Sequence, residues 1–195
     1  MRSYLAVAAI LTVLPVTSLG CGDPNRPTAP RDVVGDQLIA AAVQPHASAS
    51  ERLVTMMDAC DPESFNTAVG PGTCVERQAG VKFPSFIDEL TRTQKAGAWV
   101  FAPPVTTARA GQTLLAVNRG GEVHTFTRVA SFGGGIVPVL NELSGNPDIA
   151  PECLNLDADD FVPAGGIYEE EVGEEGTQRF QCCIHPWMRT TLRAR

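Results

Sequence analysis

The run Phe180-Gln181-Cys182-Cys183-Ile184-His185-Pro186-Trp187-Met188 limits this chain more tightly than any other part of it. Cys182, His185 and Met188 stand at Cys-x2-His-x2-Met spacing, so a thiolate, an imidazole and a thioether share one short loop. Soft and borderline donors of this kind suit copper. Two histidines and a cysteine in a trigonal plane, with a weak axial methionine, make a blue-copper electron-transfer site. The loop lacks one histidine, and the chain has two others, His46 and His124. His46 lies between Pro45 and Ala47 in a Pro- and Ala-rich stretch and reads as a solvated linker residue. His124 follows the apolar run Leu114-Leu115-Ala116-Val117, which reads as a strand. The candidate metal ligands are therefore His124, Cys182, His185 and Met188, holding one copper ion per chain.

From Ala98 onward the texture is that of strands. Trp99–Ala102, Thr106–Arg109, Thr113–Asn118, His124–Val129, Phe161–Pro163, Tyr168–Val172, Thr177–Cys183 and Met188–Arg195 carry the apolar and β-branched residues. Pro103-Pro104, Ala110-Gly111 and Gly120-Gly121 punctuate the earlier ones. Such spacing predicts a mainly β fold, a Greek-key β-sandwich. Gly133-Gly134-Gly135 opens a long excursion to about residue 160, read as a flexible loop over the metal end with a short helix near Val139–Leu143. Glu169, Glu170, Glu171, Glu174 and Glu175 read as an acidic hairpin, either a solvated turn or a docking patch for a basic redox partner.

Upstream, Ser48-Ala49-Ser50-Glu51 forms a capping box, and Leu53, Met56, Met57 and Cys60 recur at helical spacing. This predicts a helix over 49–59. A second helix is expected with Ser85 as its cap and Phe83, Phe86, Ile87 and Leu90 on one face. Together these make a small N-terminal helical extension, residues 48–93, beside a β domain at 94–195. Residues 1–20 read as an export signal, with Arg2 as the positive region, Tyr4 to Val16 as the apolar one, and small residues Ser18 and Gly20. Residues 21–47 read as a flexible linker. Cys21 in Ser18-Leu19-Gly20-Cys21 is a candidate for lipid attachment, although Ser18 stands where Leu is usual. Ordinary cleavage leaving a thiol is the alternative. The expected location is periplasmic or cell-surface.

The cysteines agree with export. With Cys21 lipidated and Cys182 on the metal, Cys60, Cys74, Cys153 and Cys183 remain, an even number for pairing outside the cytoplasm. Cys60 and Cys74 bracket one Pro- and Gly-containing loop and are natural partners, which leaves Cys153 for Cys183. Neighbouring side chains of a strand point to opposite faces, so Cys183 faces away when Cys182 faces the metal. The alternative, both adjacent cysteines as ligands, remains open from the spacing alone. Net charge is −7, which argues against a nucleic-acid partner and for basic ones. A monomer is expected. No Ser-His-Asp or Cys-His catalytic set competes for the histidines, so an enzyme is not expected.

The loop resembles the ligand loop of the cupredoxins, small blue copper proteins, and within them amicyanin and plastocyanin. The Cys-x2-His-Pro-aromatic-Met pattern followed by Arg189 carries that resemblance, together with Val123-His124-Thr125-Phe126 upstream. It covers roughly residues 96–195. Three departures stand out: Thr125 where Asn is common, Cys183 where Thr is common, and a longer stretch between His124 and Cys182. The resemblance implies a cupredoxin-like sandwich, a type 1 copper site and one-electron transfer between exported partners. It also implies His185 near the surface as the electron port, with Pro186 and Trp187 in the docking patch. The competing expectations are a copper-delivery module without redox turnover and a structural cupredoxin-like domain.

Overall fold

A computed structural model describes residues 50–75 and 80–195. The expected signal peptide, the linker, Cys21 and His46 lie outside the described residues. Two four-stranded sheets face one another. In the first, the order is β2 (Val100–Ala102), β1 (Glu51–Met57), β4 (Thr113–Asn118), β8 (Ile167–Glu171). In the second it is β3 (Val105–Ala108), β10 (Arg189–Ala194), β9 (Gly176–Gln181), β6 (Thr127–Val129). A two-stranded ribbon joins β5 (His124–Thr125) to β7 (Phe161–Val162). Val54, Met56, Phe101, Leu114 and Ala116 from the first sheet meet Ala108, Phe180 and Leu192 from the second, with Phe126 from between β5 and β6, in one buried core. The fold is mainly β, two packed sheets as the strand spacing predicts.

Residues 51–57 correct the expected helix. They are a strand, buried at Val54 and Met56 with a period of two. β1 lies parallel to β4 in a register running from Glu51↔Thr113 to Met56↔Asn118 and antiparallel to β2. The stretch is short and fits both periods. The slot between two strands, with ladder bonds on both sides, decides for the strand, where β-branched Val54 and Thr55 also pack well. Residues 48–93 are therefore not a separate helical unit, since their first element is a central strand of the sandwich.

Two helices follow. α1 (Pro62–Ala68) is capped by Asp61, whose Oδ2 accepts from the Ser64 N–H at 3.0 Å. α2 (Phe83–Thr93) begins two residues before the expected Ser85 cap, because Pro84 suits the first turn and Lys82 precedes it in extended backbone. It ends at Gln94, left-handed at φ 59°, whose N–H bonds Leu90 O at 2.8 Å. Phe86 and Leu90, one turn apart, are buried. Phe86 lies 4.5 Å from the Trp99 ring and 6.0 Å from that of Trp187, and Phe65 of α1 stacks on Trp99 at 5.6 Å. The helices thus sit on the end of the sandwich that carries the Cys182–Met188 loop. The disulfide Cys60–Cys74 staples α1 to the end of β1.

The expected flexible loop over 133–160 is instead tied down. Gly134 bridges Ile149, and the Asn141 side chain both accepts from Gly135 N–H and donates to Gly135 O. Gly135 packs so closely on Cys183 that a Cβ there would stand 1.9 Å from the Cys183 carbonyl oxygen. α3 (Pro138–Leu143) and the disulfide Cys153–Cys183 complete the clasp. The acidic residues do not form a hairpin. β8 pairs with β4 and β9 with β10 and β6, so 172–175 cross from one sheet to the other. That crossover enters β9 at its start, about 20 Å of strand away from Cys182 at its end.

Candidate metal centre

Three elements deliver the donors. β9 ends at Gln181 and β10 begins at Arg189, and these two residues are paired, so 182–188 must close as a tight loop. It does so through Cys182 N–H to Met188 O at 3.0 Å and Met188 N–H to His185 O at 2.9 Å. His124 arrives from β5, which β7 holds through the pair His124↔Val162. The result brings His124 Nδ1 to 3.9 Å and His185 Nδ1 to 3.8 Å from Cys182 Sγ. The two imidazole centroids are 5.2 Å apart. Cys182, His124 and Met188 are fully buried and His185 is 3% exposed. Both expected disulfides are present, and Cys182 is the free cysteine among the described residues.

The spacing fits a metal. Metal–thiolate and metal–imidazole bonds of about 2.3 and 2.0 Å, meeting at a trigonal angle, set sulfur and nitrogen about 3.7 Å apart. The sulfur also accepts two backbone hydrogen bonds, from Thr125 N–H and His185 N–H, each 3.4 Å. Burial favours the neutral thiol, but hydrogen bonds with His124 and His185 overcome it and hold Cys182 well below its ordinary value. The arrangement thus favours the thiolate, the form of cysteine that binds a metal.

Around these donors lies a shell that the motif did not reveal. Asp58, just after β1, accepts at Oδ2 from His124 Nε2 at 2.9 Å, with both side chains wholly buried. Its carboxylate also accepts from the N–H groups of Cys60, Gly121 and Glu122. Burial pushes Asp58 up, but the His124 hydrogen bond and the Gly121 N–H prevail and hold it at about 2. His124 is correspondingly raised to about 9, burial opposing while Asp58 and Cys182 stabilise the imidazolium. On the other side Glu122 Oε2 accepts from Trp99 Nε1 at 2.5 Å and stands 3.7 Å from His185 Nε2. Burial pushes Glu122 above the usual carboxylate range, against the pull of His185 and Trp99. Asp58, Cys60 and Glu122 also form an acidic cluster, but the Cys60 sulfur is spent in its disulfide. The sequence signal for this shell was Gly120-Gly121. A Cβ at Gly120 would stand 1.8 Å from Asp58 Oδ2, and one at Gly121 would stand 2.7 Å from Cys60 Sγ.

Two departures noted in the sequence find their structural sense here. Thr125, standing where Asn is common, accepts at its hydroxyl from Cys183 N–H at 2.6 Å. Cys183 points away from the donors into a second small core with Val129, Ala150 and Cys153. His185, expected near the surface, is itself buried and lies beneath a part-exposed ring. Glu122 faces its Nε2, Trp187 lies edge-on at 5.5 Å, and α2 supplies Phe86 against Trp187. Trp187 is the part-exposed member of this group, and Pro186 is buried.

No protein-family model matches the chain, and no curated protein matches it. Solved structures do. A purple cupredoxin from Nitrosopumilus maritimus is 14% identical, covers 73% of this chain and 98% of its own, and overlays with a TM-score of 0.41. A plastocyanin from Dryopteris crassirhizoma is 18% identical over 74% of this chain and 100% of its own, with a TM-score of 0.38. An amicyanin from Paracoccus versutus is 22% identical over 49% of this chain and 72% of its own, with a TM-score of 0.32. Overlays at these scores carry no argument by themselves, and the weight rests on the ligand motif and the geometry of its donors. These solved structures are cupredoxins, the family whose ligand loop the motif resembles.

Proposed function

We propose that His124, Cys182, His185 and Met188 hold one copper ion as a type 1 site and that the protein is a one-electron carrier rather than an enzyme. The observation that carries this reading is the approach of two imidazole Nδ1 atoms to within 3.9 Å of a single buried, free thiol. Met188 supports it as the fourth donor, fully buried at the closing end of the same loop. Copper would supply the one-electron couple. The chain's own residues hold the two imidazoles, the thiolate and the thioether in one arrangement and exclude water. Burial of His124, Cys182 and His185 speaks against a delivery module, which needs an exchangeable site.

Two disulfides support a location outside the cytoplasm, where such bonds are stable. The electron would leave through Trp187, the part-exposed ring in contact with His185. The partner is a redox protein, with the chain's net negative charge steering a basic one. The acidic crossover at the far end of β9 contributes to that field rather than to the contact itself. Cys21 would tether the mature chain to a membrane, with 22–47 as the leash.

Loading with Cu(II) and recording absorption and electron paramagnetic resonance spectra tests the site. An intense thiolate charge-transfer band with a narrow copper hyperfine splitting is expected. A colourless adduct, or copper bound unchanged by Cys182→Ser, overturns it. Mass spectrometry of the mature N-terminus decides the tether.

A further inference from the structure

The carboxylate of Asp58 is enclosed on every side. It accepts from three backbone N–H groups, of Cys60, Gly121 and Glu122, and from His124 Nε2 at 2.9 Å. Gly120 has no side chain at the one place where a Cβ would collide with Oδ2. The chain thus builds a cradle that holds one charged oxygen against the ring nitrogen opposite the candidate ligand atom. A histidine that donates its other N–H to a carboxylate is fixed in tautomer and orientation and becomes a more basic ligand. Burial of both side chains removes the water that would otherwise screen the interaction.

Resting on the copper reading above, we propose that Asp58 is a positioning residue of the metal site: it fixes His124 with Nε2 protonated and Nδ1 free to ligate, and it biases the site towards Cu(II). The alternative role is purely structural, a clasp between the end of β1 and the Gly120-Gly121 turn. The two roles differ in what Asp58→Asn does. Asn keeps the volume and an acceptor oxygen but removes the charge. If Asp58 positions, the variant binds Cu(II) about 10–100-fold more weakly, the range typical of lost outer-shell partners. The Cu(II)/Cu(I) ratio at a fixed ambient potential falls at least tenfold, about 59 mV for a one-electron couple. Glu122→Gln shifts the ratio less, because Glu122 Oε2 is 3.7 Å from His185 Nε2 and is already engaged by Trp99.

The test is nitrogen-15 NMR of the His124 ring in the metal-free and Cu(I)-loaded wild-type protein, with redox titration of wild type, Asp58→Asn and Glu122→Gln. The expected result is a slowly exchanging proton on His124 Nε2 in wild type, with Nδ1 shifting on Cu(I) binding. Cu(I) binding that shifts Nε2 rather than Nδ1, or an Asp58→Asn variant with unchanged potential but lowered stability, overturns the proposal in favour of the clasp. A larger effect at Glu122 than at Asp58 also overturns it. Should Asp58→Asn fail to fold, the wild-type ring spectrum decides. Wild type without a thiolate charge-transfer band sinks the copper reading, while the metal-free spectrum still reports whether Asp58 holds Nε2–H.

Discussion

The Thr125 hydroxyl accepts a 2.6 Å hydrogen bond from the Cys183 N–H, tying the strand of one candidate ligand to the residue after another. Thr125 sits beside His124, and Cys183 beside Cys182, so this bond sets the relative height of imidazole and sulfur. Thr125→Val keeps the shape and removes the acceptor, leaving a buried N–H unpaired. The expected cost is about 1–3 kcal/mol in urea unfolding of the metal-free protein. The thiolate charge-transfer band should shift as Thr125 N–H and Cys182 Sγ move apart. Thr125→Ser should restore both. Equal stability of Val and Ser variants would show that the bond is unimportant.

Met188 distinguishes a tuned redox site from mere copper binding. A thioether favours Cu(I) relative to an amide oxygen, and the axial ligand tunes the potential. Met188→Gln should keep its copper and colour, and its reduction potential should fall. Cys182→Ala and His124→Ala should lose the colour outright. An unchanged potential in Met188→Gln would remove Met188 from the ligand set.

The Cys153–Cys183 bridge holds the 133–160 excursion against the residue next to the candidate thiolate. Its loop entropy alone is worth about 3–4 kcal/mol. Replacing both cysteines by serine should lower the unfolding free energy by that order while leaving the blue spectrum recognisable, because Cys183 faces away from the donors. Loss of colour in the double variant would mean that the bridge positions Cys182 as well.

The buried Asp58–His124 pair gives the metal-free protein a stability window. Asp58 falls from 3.8 to about 2 on folding, so its contribution is present above pH 3.8 and is lost as pH drops through 2. His124 rises from 6.5 to about 9, so its contribution is complete below pH 6.5 and is lost as pH climbs through 9. Both shifts report one interaction. Metal-free protein should therefore be most stable between about pH 4 and 6.5 and should weaken on either side. Copper, which needs neutral imidazole, should abolish the alkaline loss. Urea midpoints across pH, with and without Cu(II), check this. Metal-free stability that rises steadily to pH 9 would refute it.

The candidate donors of the loop stood out in the sequence because ligand chemistry constrains residue type and spacing there: Cys182, His185 and Met188 need only each other's sequence distance. β4 was legible for a similar reason, its apolar run being bounded by turns. Strand β1 was not, because Leu53, Met56 and Met57 satisfy a helical period as well as a strand, and only pairing with β2 and β4 chooses. Asp58 was hidden by the same error, since its role depends on where β1 ends in space. The enclosure of His185 was hidden too, because it arises from Phe86 and Trp187 meeting across a hundred residues of chain. Patterns within one segment announce themselves, whereas contacts between segments have no local signature.

The sheet orders dictate when the site can come into being. β1 has no parallel partner until residue 118 is available, and β3 waits for β10, which lies beyond the ligand loop. Pairings between such distant segments are slow to form, since their loop-closure entropy is lost before any contact rewards it. Asp58 and Cys182 belong to opposite ends of this order, so a nascent chain has no half-built copper pocket to offer. Metal acquisition would then follow folding rather than guide it, and an ion arriving early would meet loose thiols instead of a coordination sphere.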